Sequence, residues 1–77
     1  MTEIPLGAID RLIRKNGIKR VNIETSKMLR EILEDLSKEI VLMADSIVKN
    51  RNQSTITKDD IKLAYELVKQ HQYDKPN

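Results

Sequence analysis

The sequence predicts an all-α chain, and three observations carry that prediction. Between about Asn22 and Asn52, apolar residues fall at Met28, Leu29, Ile32, Leu33, Leu36, Ile40, Met43, Ala44, Ile47 and Val48. Steps of three and four dominate, which is the spacing of one helical face. Neither Gly nor Pro interrupts the stretch. Shorter amphipathic segments flank it on both sides, so the pattern is short helix, loop, long helix, loop, short helix.

The elements follow in order. Glu3-Ile4-Pro5-Leu6 reads as an extended lead-in, because Pro5 disfavours helix at Ile4. Gly7 to Asn16 reads as a short helix with Ile9, Leu12 and Ile13 on one side. Asn16-Gly17 supplies its stop, Gly17 being free to take a left-handed conformation. Ile18-Lys19-Arg20-Val21 is expected to be extended. Asn22 and Thr25 offer capping oxygens at the start of the long helix. Lys49 to Ser54 is a polar connection, and Thr55-Ile56 is short and β-prone. Thr57-Lys58-Asp59-Asp60 has the form of a capping box, with Thr57 as N-cap and Asp60 reaching back. Ile61, Ala64, Tyr65 and Val68 mark one face of a last helix expected to end near Gln70, and Tyr65 is read as a core residue. The domain is therefore placed at 1–70, with a short polar tail at 71–77.

A chain of 77 residues supports one domain, near the size at which a single core is only marginally stable. The long helix spans roughly 40 Å at ~1.5 Å per residue, and the remaining segments are too short to cover its stripe. Val41 and Leu42 widen the apolar surface further. The expectation is a second copy packed along the helix, with Met28 and Met43 as core fillers.

Composition narrows the function classes. There is no Cys and only one His, His71, so a thiolate metal site and a histidine cluster are excluded. Glu34, Asp35 and Glu39 could suggest a metal cluster, but they lie on a helix rich in charge. No nucleophile–base set and no Gly-rich phosphate loop is present, so an enzyme is not expected and no cofactor is called for. The longest apolar run, Ile40 to Ala44, is far short of a membrane span, and no signal-peptide pattern opens the chain. A soluble intracellular protein is expected.

The net charge of +2 says less than its distribution. Residues 1–21 carry five basic and two acidic side chains, whereas residues 22–48 carry three and six. Residues 49–58 carry three basic side chains and no acidic one. Positive charge thus gathers before the long helix and just after it. A charged run is commonly a solvated face, but two such clusters make a polyanion partner competitive. Two Tyr and no Phe or Trp are too few for a base-stacking platform. A helix-turn-helix reader fits poorly, since its recognition helix would be Ile61 to Gln70, where Lys62 and Lys69 are the only basic residues.

From Glu3 to about Gln70 the sequence resembles the archaeal histones. The resemblance rests on Glu3-Ile4-Pro5, Arg11-Leu12-Ile13, Gly17 with Arg20-Val21, Ile32-Leu33-Glu34, Thr55-Ile56, Asp60-Ile61 and Leu63-Ala64. It implies a histone fold completed as a handshake dimer, in which the first loop of one chain lies beside the second loop of its partner. It further implies a chromatin protein that binds double-stranded DNA without reading sequence and compacts it. The DNA contacts it implies are Arg11, Arg14, Lys15, Lys19 and Arg20 before the long helix, and Arg51, Ser54, Thr55, Thr57 and Lys58 after it. Arg11 is implied in the minor groove, the others on phosphates. Ile47, Asn50 and Asp60 are the implied contacts between dimers. Partners implied are DNA, a second copy in a dimer, tetramer or larger assembly, and another histone in a heterodimer. The implied location is the cytoplasm, on the chromosome or nucleoid.

Three departures from the family pattern modify this expectation. Gln53 and Ser54 stand where the family carries an Arg-Lys pair, which removes two positive charges and, with Gln53, the loop Arg that bridges to the Asp60 position. Arg51 stands two residues earlier, out of register with that Arg. Asn50 stands where wrapping histones carry a His that pairs with the Asp60 position across dimers. The tail after Gln70 runs beyond the shortest members. The alternatives are therefore a histone-fold protein-interaction module, or a tetramer that bridges DNA with little wrapping.

Overall fold

The computed structural model describes residues 3–74, and for residues 71–74 it describes the backbone only. Three α-helices form: α1 (Leu6–Lys15), α2 (Ile23–Asn50) and α3 (Lys58–Asp74). Among the described residues there is no strand. Both β-prone segments, around Arg20-Val21 and Thr55-Ile56, are irregular within the single chain, and a β bridge there requires a second strand from elsewhere. The last helix runs one turn further than expected, through Asp74, so residues 71–74 are helical rather than tail. Neither Gly nor Pro falls between Gln70 and Lys75, so the sequence sets no stop in that turn. Residues 75–77 of the expected tail lie outside the described residues.

The chain divides into two compact units that share α2, one ending at Leu36 and the other beginning at Ser37. In the first unit, Ile9 of α1 and Ser26 of α2 are buried. Asn22 caps α2 as anticipated, its Oδ1 accepting from the Thr25 N–H and the Thr25 hydroxyl, both at 2.9 Å. Leu12, expected beside Ile9, is instead 46% exposed. It lies about 60° around the helix from Ile9, the opposite way from Ile13.

In the second unit the buried apolar residues are Ala44 and Val48 of α2 with Ala64 and Val68 of α3. All four are small, which suits a close approach of helix surfaces. Tyr65 is exposed rather than core, and the Lys69 ammonium lies 5.8 Å from its ring centroid. Among the described residues five apolar side chains are buried, while eleven large ones, Met28, Ile32 and Leu42 among them, remain exposed. Of the ten stripe residues of α2, only Ala44 and Val48 are buried; Met28 and Ile32 are exposed and the other six are half-buried, so a single chain covers its stripe incompletely.

Candidate nucleic-acid interface

The first basic segment is built on the end of α1. Asn16 closes the helix, its N–H donating to the Ile13 carbonyl at 3.1 Å and its side-chain amide to the Leu12 carbonyl at 2.9 Å. Gly17 then takes φ +86°, as its place in the sequence predicts, and turns the chain out of the helix. The segment that follows carries Lys19 and Arg20, both exposed. On α1 itself, Arg11, Arg14 and Lys15 are also exposed. Arg14 pairs with Asp10 at 3.1 Å, a surface i,i+4 pair of small energetic value. Among the described residues, no ion pair engages Arg11, Lys15, Lys19 or Arg20. Their charges are available to an external anion.

The second basic segment is built differently. At the end of α2, the Gln53 N–H donates to the Val48 carbonyl at 3.1 Å and the Asn52 N–H to the Lys49 carbonyl at 3.0 Å. This pair of bonds is the stop made by a residue in the left-handed region, and Asn52 occupies it with φ +60°. The turn leaves Arg51 at the helix end with its side chain directed to the start of α3. There Arg51 Nη2 meets Asp60 Oδ1 at 2.7 Å.

Asp60 is only 3% exposed, and both its oxygens are engaged. Its Oδ2 accepts from the Thr57 N–H and the Thr57 hydroxyl, both at 3.0 Å. The Asp60 N–H returns a 3.3 Å bond to Thr57 Oγ1. The capping box is therefore complete, as predicted. The Thr57 N–H holds the Asp60 carboxyl below the usual carboxylate range, with Arg51 and the Thr57 hydroxyl adding to the effect against the opposing cost of burial.

This geometry corrects one expectation. The bridge to Asp60 is not lost with Gln53, because Arg51 makes it from two residues earlier, across the tight stop at Asn52. Of the candidate DNA-binding residues in this segment, Arg51 and Thr57 are occupied within the chain, whereas Ser54, Thr55 and Lys58 are exposed and engaged in no ion pair or side-chain hydrogen bond among the described residues. Asp60 is committed within its own unit, and Asn50 and Ile47 are exposed and half-buried respectively. Lys49 pairs with Asp45 at 2.8 Å, a bond that raises the Lys49 pKa above its ordinary value.

Two features escaped the sequence reading. Asn52 in the left-handed stop had a signal, since Asn follows Gly in preference for that conformation. Glu34 did not: its carboxylate accepts the N–H groups of Glu3 and Ile4, and nothing in the helical pattern of α2 marks it. Among the described residues, no group of three or more acidic or His side chains gathers to hold a metal, and no helix is long and apolar enough to cross a membrane.

Residues 2–65 match the model of the family described as histone-like transcription factor (CBF/NF-Y) and archaeal histone. The chain is 38% identical over 64 residues to one of the subunits of the archaeal histone HAN1 of Thermococcus zilligii, covering 83% of this chain and 96% of that protein. It is 30% identical over 64 residues to the probable archaeal histone 3 of Methanocaldococcus jannaschii, with the same shares covered. With three helices in the predicted order and a family match over most of its length, the chain belongs to the family of histone-like transcription factors and archaeal histones, and its fold is the histone fold.

Proposed function

We propose that this protein binds double-stranded DNA without sequence specificity and organises or compacts it on the chromosome, as a histone-fold handshake dimer or a larger assembly. The observation that carries the reading is the set of exposed cations on α1 and the loop after it, Arg11, Lys15, Lys19 and Arg20, which no carboxylate among the described residues neutralises. Such groups neutralise phosphates and release counterions, an attraction that reads no sequence. The handshake is supported by the incompletely covered apolar surface of α2, where Met28, Ile32, Val41 and Leu42 stay exposed and a second copy of the helix would cover them. In a crossed dimer, Lys58, Ser54 and Thr55 of one chain extend the surface begun by Lys19 and Arg20 of the other, and paired α1 starts present Arg11 to a minor groove.

A second reading has its own support. Gln53 and Ser54 carry no charge and Arg51 is bound to Asp60, so the second loop offers DNA little. That favours a histone-fold module that holds a protein partner, another histone included, or a tetramer that bridges duplexes with little wrapping. Affinity for two unrelated DNA duplexes, measured across a salt series, separates these. Equal affinities with a logarithmic slope of about −0.9 per neutralised phosphate, amounting to several phosphates per dimer, support DNA binding. Absence of binding at low salt overturns it in favour of the partner module.

A further inference from the structure

Two side chains of α2, one turn apart, grip the segment that leads into α1. Glu34 Oε2 accepts from the Glu3 N–H at 2.6 Å and from the Ile4 N–H at 2.8 Å. Arg30 Nη1 donates to the Ile4 carbonyl at 3.5 Å. Neither side chain belongs to the basic surface described above. Bonds from backbone N–H groups to a carboxylate are among the stronger hydrogen bonds in a protein.

What the grip controls follows from the next residues. Pro5 is the N-cap of α1, at φ −64° and ψ 141°, and no side chain caps the helix; its first turn holds no acidic residue. Ala8 and Ile9 donate to the Pro5 carbonyl at 3.1 and 3.4 Å, so the first turn is hung on Pro5. Arg11, one turn on, lies back towards this start, because a Cβ placed on Gly7 would stand 3.6 Å from Arg11 Nη1. The start of α1 is therefore fixed from the lead-in, and the lead-in from Glu34.

The geometry points to Glu34 as a positioning residue for DNA contact: by holding Glu3 and Ile4 it fixes the first turn of α1 and the Arg11 guanidinium that lies along it. The part of this inference that concerns Arg11 rests on the DNA-binding reading, whereas the grip itself does not. The depressed pKa of Glu34, caused first by the Ile4 N–H and then by that of Glu3, agrees with the geometry.

Two readouts on the full-length protein test it. In Glu34→Ala, amide exchange at Glu3 and Ile4 accelerates by roughly tenfold or more, while exchange at Ala44 and Val48 is unchanged. Glu34→Gln keeps an acceptor oxygen and restores part of the protection. For DNA, Glu31→Ala removes the same charge from an exposed site on α2 and serves as the reference. Relative to it, Glu34→Ala weakens binding, and its effect disappears in an Arg11→Ala background but persists in a Lys19→Ala background. Unchanged exchange at Glu3 and Ile4 overturns the grip. Full additivity of Glu34→Ala with Arg11→Ala overturns the positioning role. Lost protection in a protein that binds no DNA supports the grip and removes the DNA reading instead.

Discussion

The two loops of this chain share a design and differ in what they do with charge. Each follows a helix that stops on a left-handed residue, Gly17 at φ +86° and Asn52 at φ +60°. Each leads to a capped helix, by Asn22 in one case and by Thr57 with Asp60 in the other. In the first, Lys19 and Arg20 meet no carboxylate among the described residues. In the second, Arg51 is held at 2.7 Å by a buried aspartate. Basic residues counted along the sequence thus fall into two kinds, those free to meet an external anion and those that hold the fold. The histone pattern tolerates the loss of charge at Gln53 and Ser54 as a matter of folding because Arg51 keeps Asp60 paired.

Substitutions sharpen this contrast, beginning with the largest effect. Lys19→Ala with Arg20→Ala weakens duplex binding to a similar degree for unrelated sequences. It also reduces the salt slope by about 0.9 for each phosphate no longer neutralised, as read by a salt-dependent binding titration. Melting temperature stays close to that of the parent protein, since neither side chain is paired with another described residue. Equal loss from Arg51→Ala in the same titration breaks the contrast.

Arg51→Ala acts first on stability. It strands a buried carboxylate beside the start of α3 and lowers the melting temperature by several degrees. In Asp60→Asn the Arg51 substitution has little further effect, because the two side chains act as one unit. Thermal melts of the single and double variants measure this coupling, and simple additivity contradicts it.

Acid separates the two loops as well. Asp60 sits below its ordinary pKa of 3.8, so its contribution is fully present above that value and is lost as pH falls through the lower folded-state pKa. Glu34, below its ordinary 4.5, behaves in the same way. The melting temperatures of the parent and Asp60→Asn proteins therefore differ at neutral pH and converge in strong acid. The Lys19→Ala, Arg20→Ala variant tracks the parent throughout that range.

The smallest effects lie at the helix stops. Gly17→Ala meets no neighbour within 4 Å and costs only the strain of its backbone, about 1 kcal/mol. Asn52→Gly relieves a milder version of that strain and leaves stability unchanged or slightly improved. Chemical denaturation resolves both, and a large loss in Asn52→Gly shows that the Asn side chain does more than tolerate its conformation.

Much of this architecture is legible in the sequence alone. The periodicity of α2, the Asn16-Gly17 stop, the Asn22 cap and the Thr57–Asp60 capping box are local patterns, with both partners a few residues apart. The extension of α3 through Asp74 is not, because a polar helix end and a polar tail have the same composition. Arg51 can be counted as basic from the sequence. Its engagement by Asp60 depends on a reversal at Asn52 that brings together side chains nine positions apart. Glu34 is harder still, since its partners lie about thirty positions away and are backbone groups that carry no sequence signature.

The central claim, that the first loop offers its cations to DNA while the second commits its arginine to the fold, is tested most directly by side-chain NMR. The guanidinium signals of Arg20 and Arg51 are followed as a DNA duplex is added at fixed salt. The Arg20 signal is expected to move with saturation while that of Arg51 stays at the position set by Asp60. An Arg51 signal that moves as far as that of Arg20 contradicts the claim, and makes the second loop an equal part of the DNA surface.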